Sequence, residues 1–262
     1  MIEASDPLTG GRFIPLAGSR NARHMGGYRA ADQRMTRADR LFRSGWFDLS
    51  TEEGRQQFDA LAITQLVDFR TEEERGRQPL PVDTRKVEIV SASIANGAMG
   101  EYLRTVAALR PEEIDCLSAM TRMYREMLDR GAEAFATMLS ALSRGSGGAM
   151  LICSTGKDRT GVGSALLLSA LGIGRDDVFA DYAISADVYR GHETEFARRH
   201  GYERHGHSLD LFQDVFTVHP EYLAASWERA VAIAGSMDAF VTQAAGGPDE
   251  IEKLRSRFTR AG

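Results

Sequence analysis

The chain reads as an α/β protein: a central, mostly parallel sheet flanked by helices, with a helical lid and a C-terminal helical segment. Two observations predict this. Up to about residue 173, short apolar runs of strand length alternate with stretches at helical spacing, and that alternation builds sheets covered by helices. Beyond that point strand signals vanish and only helical patterns remain.

Taken in order, strands are expected over residues 12–16, 41–43, 64–69, 87–90 and 150–153. Ser50-Thr51-Glu52-Glu53 has the make-up of a capped helix start ahead of Phe58 and Leu61. Ile114, Leu117, Met120 and Met123 form a helical pattern around Cys116, which is read as packing rather than as a resolving thiol. Phe135, Met138, Leu139 and Leu142 recur at helical spacing between Gly131 and a Gly-rich turn at 144–148. Further helices are expected over 176–189, 220–234, 237–245 and 248–258, with Pro220 and Pro248 placed to open theirs. Residues 190–217 are polar and rich in His and Arg. They form either a mobile helical lid or a long connection. The expected organisation is one domain over 1–262, with 175–219 as lid or insert helices and 220–258 as C-terminal helices.

Composition narrows the function. A chain of 262 residues, 43% of them hydrophobic, is long enough for one good core. Its formal net charge of -5 argues against a nucleic-acid partner, which calls for a basic excess. Cys116 and Cys153 cannot make a disulfide framework, and a free thiol is most useful where it stays reduced, so a cytoplasmic location is expected. Residues 1–11 are polar and lack the layout of a signal peptide. No apolar run reaches the roughly 18 residues that span a bilayer; residues 162–173 read as a buried helix. Of His192, His200, His205, His207 and His219 only two are close in sequence, and no Cys or carboxylate completes a ligand spacing, so no metal is expected.

Chemistry concentrates between the apolar Met150-Leu151-Ile152 and a helix expected to begin near Thr160. Here stands Cys153-Ser154-Thr155-Gly156-Lys157-Asp158-Arg159-Thr160-Gly161. A tight turn from strand end to helix start directs successive backbone N–H groups inward and makes an anion cradle. Gly156 allows close approach of backbone to ligand, and Gly161 eases entry into the helix. The positive helix end favours a bound phosphate or a Cys153 thiolate. Arg159 presents a planar fork for two phosphate oxygens, and Thr160 is read as a donor to the sulfur. The implied reaction has two steps: in-line attack of Cys153 on phosphorus, then hydrolysis of the phosphocysteine, with Asp158 as acid and later base. No cofactor is needed. A Walker-type loop is excluded, because position 151 is Leu and Asp follows the Lys.

This loop resembles the Cys-x5-Arg signature of the protein tyrosine phosphatase superfamily. Its longer form, Cys-x-x-Gly-Lys-Asp-Arg-Thr-Gly, is similar to the bacterial tyrosine/dual-specificity branch with phosphoinositide-phosphatase relatives. Asn21-Ala22-Arg23-His24-Met25-Gly26-Gly27-Tyr28 resembles that branch's N-terminal motif. Leu41-Phe42-Arg43-Ser44-Gly45, Val67-Asp68-Phe69-Arg70, Asp181-Tyr182-Ala183-Ile184-Ser185 and Pro220-Glu221-Tyr222-Leu223 are further echoes. The resemblance implies one cysteine-phosphatase domain acting on phosphorylated protein or phosphoinositide. Cys153 is then nucleophile, Arg159 the phosphate clamp, Asp158 the acid and Lys157 a headgroup contact, with Ser154, Thr155, Gly156 and Thr160 completing the cradle.

Two departures stand out. Ile152 replaces the usual His before the nucleophile, which leaves a phosphate-binding module with weak or no catalysis as the alternative. His24 stands where the branch has Asp. Asp68 is read either as a second carboxylate in the pocket or as the ion-pair partner of a neighbouring Arg. Asn21 and Arg23 either orient the loop or its ligand, or build a structural turn around Gly26 and Gly27. Phe179, Tyr182 and Tyr189 either roof the pocket or pack between helices.

Overall fold

A computed structural model describes residues 11–262 apart from 20, 81 and 96; the polar start of the chain, residues 1–10, lies outside the described residues. The elements run β1 (Arg23–His24), β2 (Met35–Thr36), β3 (Leu41–Ser44), α1 (Glu52–Ala60), β4 (Ile63–Asp68), α2 (Glu72–Arg77), β5 (Glu88–Ser91), α3 (Gly97–Thr105), α4 (Cys116–Arg130), α5 (Ala132–Arg144) and β6 (Gly148–Ile152). They continue as α6 (Asp158–Ala170), α7 (Arg175–Tyr189), α8 (Glu193–Arg199), α9 (Gln213–Phe216), α10 (Pro220–Ala234), α11 (Met237–Ala245), α12 (Pro248–Phe258) and β7 (Thr259–Arg260).

The main sheet has the order β1-β3-β6-β4-β5. β6 pairs in parallel with both β3 and β4, β4 pairs in parallel with β5, and β1 alone is antiparallel. Every residue of β6 is buried, as a strand covered on both faces must be. Alternation divides the strand between two cores. Ala149, Leu151 and the following Cys153 belong to the larger cluster with α4–α7 and α10–α12. Met150 and Ile152 point the other way, into a smaller cluster with Phe42, Phe47, Phe58 and Leu66. That alternation places the thiol on the helix-rich side of the sheet.

Local chemistry fixes the helix ends. Thr51 caps α1 by accepting from the Gly54 N–H at 3.0 Å, Pro220 and Pro248 open α10 and α12, and Gly235 closes α10 at φ 85°. The strand expected over 12–16 is a correction. Only one bridge forms there, Phe13 with Arg23, because Pro15 has no N–H to continue a ladder; the regular strand is the short β1 opposite. Residues 35–36 and 259–260, with no sequence signal, pair as a second ribbon that stitches the end of the chain to β2. α2 and α3 were likewise not expected. Residues 190–219 wind through α8, two 3-10 turns and α9, bound together by Phe196, Tyr202, Phe212 and Phe216. No helix among the described residues is long and apolar enough to cross a membrane.

Candidate active site

The loop after β6 is held open from outside. The Ser154 carbonyl accepts from the Trp46 N–H at 3.0 Å. That of Thr155 accepts from the Tyr189 hydroxyl at 2.6 Å and, more distantly, from Asn21 Nδ2 at 3.4 Å. That of Gly156 accepts from Asn21 Nδ2 at 3.0 Å and from an Arg43 Nη at 2.9 Å. With three successive carbonyls engaged outward, the loop turns N–H groups toward its own centre, which is the arrangement an anion requires. Gly156 takes φ +70°, and a Cβ there would stand 2.5 Å from the Gly45 nitrogen. A Cβ on Gly45 would in turn stand 2.9 Å from the Thr155 carbonyl carbon. The two backbones therefore touch, and only glycine fits at either position.

Cys153 is buried, and its Sγ accepts from the Gly156 N–H at 3.2 Å. The helix that follows begins at Asp158, two residues earlier than expected, so Asp158, Arg159 and Thr160 form its first turn. Arg159 grips Glu74 with both terminal nitrogens, at 2.6 and 2.7 Å. It also donates to the carbonyls of Phe69 (3.3 Å) and Ile94 (3.1 Å) and to Ser154 Oγ (3.3 Å). Burial disfavours the guanidinium charge, but Glu74 and the Cys153 sulfur outweigh it and the net shift is upward. Burial also opposes the Glu74 charge, yet hydrogen bonds and charge from Arg159 and the Ser154 hydroxyl bring its pKa down to about 2. Glu74 is placed by a capping box: it accepts from the Thr71 N–H at 2.8 Å while its own N–H donates to Thr71 Oγ1 at 3.3 Å. The sequence reading did not single out Glu74, although Thr71-Glu72-Glu73-Glu74 matches that signature.

Asp158 lies at the mouth of the loop with its side chain about one-fifth exposed (22%). Its Oδ1 accepts from the Tyr124 hydroxyl at 2.6 Å and faces Lys157 Nζ at 3.3 Å. Lys157 is itself buried and donates to the carbonyls of Val215 and Thr217. The Thr160 hydroxyl is buried without a hydrogen-bond partner among the described residues, so it does not reach the sulfur in this arrangement.

The N-terminal motif acts beneath the loop. Arg23 is fully buried; it donates to Asn21 Oδ1, to the Asp181 carbonyl at 2.9 Å and to Ser185 Oγ at 3.2 Å. Asp181 pairs with Arg43 at 2.6 Å. Burial opposes the Asp181 charge, but Arg23 and Arg43 outweigh it and hold the carboxyl below its usual range. Asn21 and Arg23 thus sit where they orient the loop from below, and Arg23 does not line the cavity. His24 Nδ1 accepts from the Gly26 N–H at 3.2 Å, a bond to the residue two places on that an Asp side chain also makes in turns. Asp68 is not among the residues that line the cavity. It is locked to Arg70 at 2.8 Å with both side chains 1% exposed, so of its two sequence readings the structure shows the ion pair.

Above the loop lies a cavity of about 460 Å³. Ser154, Thr155, Lys157, Asp158 and Arg159 supply its polar side, with Glu74 and Arg77. Met120, Met123, Tyr189, Tyr202, Val215 and Phe216 supply apolar surface. Tyr189 therefore faces the pocket. Tyr182 is buried behind Tyr124, to whose hydroxyl it donates at 2.7 Å, and Phe179 packs on Trp227 and Arg175. Burial pushes the Cys116 thiol up to about 12, as befits a core residue. The histidines of 192–219 scatter: His207 meets the Val106 carbonyl, His219 meets Asp214, and His200 stacks on Phe216. Among the described residues no group of His, Cys, Asp and Glu is arranged to hold a metal.

Known proteins similar in sequence identify the lineage. The chain is 31% identical over 227 residues to a candidate tyrosine-protein phosphatase of Cupriavidus necator, covering 86% of this chain and 81% of that one. It is 25% identical to a tyrosine-protein phosphatase of Nostoc commune (86% and 76% covered). It is 26% identical to the triple specificity protein phosphatase PtpB of Mycobacterium tuberculosis (84% and 90% covered). The model of the tyrosine phosphatase family matches residues 14–260, nearly the whole chain. With a cradle, a buried thiol and a clamped arginine where that family's signature falls, the chain belongs to the tyrosine phosphatase family.

Proposed function

We propose that this tyrosine phosphatase removes phosphate from phosphotyrosine in proteins, through a phosphocysteine on Cys153. The observation that carries the reading is the loop whose three carbonyls are drawn outward, with the buried Cys153 sulfur on the Gly156 N–H inside it and Arg159 lining the cavity beside it. In the first step Cys153 Sγ bonds to phosphorus, the bond from phosphorus to the tyrosine oxygen breaks, and the Asp158 proton passes to that oxygen. In the second step a water oxygen bonds to phosphorus, the S–P bond breaks, and the water proton returns to Asp158. Arg159 and the backbone N–H groups hold the phosphoryl oxygens throughout. Ser154, Thr155, Gly156 and Thr160 belong to the cradle, and Asn21 and Arg23 to its support. The domain reading goes with it: one phosphatase domain, with residues 175–219 as cover and 220–258 as C-terminal helices.

Two observations favour an aryl substrate over a phosphoinositide. The cavity is walled by Met, Tyr and Phe side chains, which suit a flat ring. Lys157 is buried, donates to two backbone carbonyls and pairs with Asp158, so its charge is already compensated inside the protein. The mycobacterial relative's name includes triple specificity, so the preference is relative. Catalysis is preferred over a phosphate-binding module because the sulfur takes a backbone N–H at the helix start, a support for the thiolate that does not depend on residue 152.

The test is hydrolysis of p-nitrophenyl phosphate, a phosphotyrosine peptide and a phosphatidylinositol phosphate, each with chelator present. Wild type will turn over the first two faster than the lipid, and Cys153→Ser will turn over none. Turnover surviving in Cys153→Ser, or a need for added metal, refutes the cysteine mechanism; a lipid rate above the peptide rate refutes the substrate preference.

A further inference from the structure

The two oxygens of Asp158 are not equivalent. Oδ1 takes the Tyr124 hydroxyl at 2.6 Å and faces Lys157 Nζ at 3.3 Å, whereas no described residue donates to Oδ2. The Tyr124 hydroxyl is itself the acceptor of the Tyr182 hydroxyl at 2.7 Å. Phenol protons thus run in one direction, from Tyr182 to Tyr124 to Asp158.

Both tyrosines are built in. Tyr124, on α4, is fully buried, stacks on Tyr222 with centroids 5.3 Å apart, and its carbonyl accepts from Ser226 Oγ at 2.6 Å. Tyr182, on α7, lies against α6 so closely that a Cβ on Gly161 would stand 2.9 Å from its ring. Burial, with Asp158 adding to it, raises both phenols well above their ordinary value, so each stays a donor throughout the working pH range. A packed core does not need this chain: two Phe rings would fill the same space without buried hydroxyls to satisfy.

We propose that Tyr124, backed by Tyr182, is a positioning residue for Asp158: it fixes Oδ1 and leaves Oδ2 as the atom that gives and takes the proton of the reaction. This rests on the reading of Asp158 as the acid and base. The donor on Oδ1 holds the carboxyl group in one orientation, so Oδ2 keeps one position through both steps, giving a proton in the first and receiving one from water in the second. The other charged or titratable groups around Asp158 are Lys157 and Arg159 on its own segment, Tyr189 on α7, Tyr202 in the cover and Tyr222 on α10. Of these only Lys157 is in contact, so the Tyr124 hydroxyl is the neutral group with the most direct hold on the carboxylate.

The test is kcat/KM against pH for phenyl phosphate, whose poor leaving group needs the acid, in wild type, Asp158→Asn, Tyr124→Phe and Tyr182→Phe. Asp158→Asn will lose the alkaline limb that belongs to the acid; a limb that persists overturns the reading of Asp158 and the proposal with it. Given that loss, Tyr124→Phe will lower kcat/KM for phenyl phosphate by about tenfold and for p-nitrophenyl phosphate, whose good leaving group needs the acid less, by no more than about twofold. Tyr182→Phe will act the same way by less. A Tyr124→Phe value for phenyl phosphate within about twofold of wild type, or an equal loss on both substrates, overturns the positioning role and leaves Asp158 as the acid. Should Tyr124→Phe fail to fold by circular dichroism, Tyr182→Phe decides alone, and an unchanged kcat/KM for phenyl phosphate there overturns the proposal.

Discussion

Glu74 joins the fold to the reaction, and Glu74→Gln separates the two. The carboxylate is 24% exposed and the guanidinium it holds 7% exposed, so solvent screens the pair only partly. Its pKa falls from 4.5 to about 2, and at about 1.4 kcal/mol per unit the folded state gains about 3 kcal/mol from ionised Glu74. This agrees with the ~3–5 kcal/mol lost when one partner of a buried pair is removed. Because the folded-state pKa is the lower one, the gain is complete above about 4.5 and disappears as pH falls through about 2. Glu74→Gln will therefore lower the melting temperature at pH 7 by roughly 6–12 °C, at about 2–4 °C per kcal/mol for a chain of this size. The gap to wild type will close progressively below pH 4.5.

The same substitution leaves Arg159 bound to the carbonyls of Phe69 and Ile94 but without the fork that sets its plane. A displacement near 1 Å costs about 100-fold in rate, so kcat/KM on p-nitrophenyl phosphate will fall by roughly that factor, and vanadate affinity with it. Thermal unfolding by circular dichroism across pH 2–7 and steady-state kinetics at 20 °C read the two effects. A melting temperature within 2 °C of wild type at pH 7 refutes the energetic argument, since about 6 °C or more is expected. A normal drop with kcat/KM within threefold of wild type refutes the claim that Glu74 aims the clamp, for which about 100-fold is expected.

Gly45→Ala will fold yet lose on the order of 100-fold in kcat/KM, because the new Cβ meets the Thr155 carbonyl group at 2.9–3.0 Å and must push the cradle aside; vanadate binding by calorimetry will weaken in parallel. Ile152→His will not raise activity, since residue 152 is fully buried in the apolar cluster of Phe42, Leu66 and Met150. It will instead lose about 1–3 kcal/mol of stability for an unpaired imidazole, and a tenfold or greater rise in kcat/KM at pH 7 would show that the ring reaches the loop. Asp68→Asn will lose roughly 3 kcal/mol by breaking a fully buried pair with Arg70, read by urea unfolding, while KM for p-nitrophenyl phosphate stays within about threefold because Asp68 does not line the cavity.

What the sequence showed of this molecule follows the range over which its physics acts. Parallel strands are apolar runs, helix starts carry Thr51, Pro220 and Pro248, and the proposed nucleophile, clamp and acid lie within seven consecutive positions; all are local patterns. The pieces that escaped are set by distant partners. β2 and β7 are two residues each and exist only because 35–36 and 259–260 meet. Tyr124 reaches Asp158 from 34 positions away, and Glu74 reaches Arg159 from 85. Neither spacing has a period to detect, although the capping box at Thr71 was a local sign that Glu74 would be fixed rather than free. Ambiguities of direction, such as Asp68 in or out of the pocket, were likewise decided by a neighbour's hydrogen bonds rather than by the residue itself.

The same division explains how catalysis is compatible with Ile152. A histidine before the nucleophile is one way to support a thiolate, but residues 152 and 153 point into opposite cores, so a side chain at 152 acts on the sulfur only through the backbone. Here the backbone is already constrained. Trp46, Tyr189, Asn21 and Arg43 engage three successive loop carbonyls, and the Gly156 N–H that results points at Cys153 Sγ. The donors come from three separate segments, just before β1, at the end of β3 and at the end of α7, so no one of them sets the loop alone, and their combined effect substitutes for a single imidazole. The electrostatics of the site are then a property of loop shape, and changes that move the backbone, as at Gly45, will damage it more than changes at residue 152.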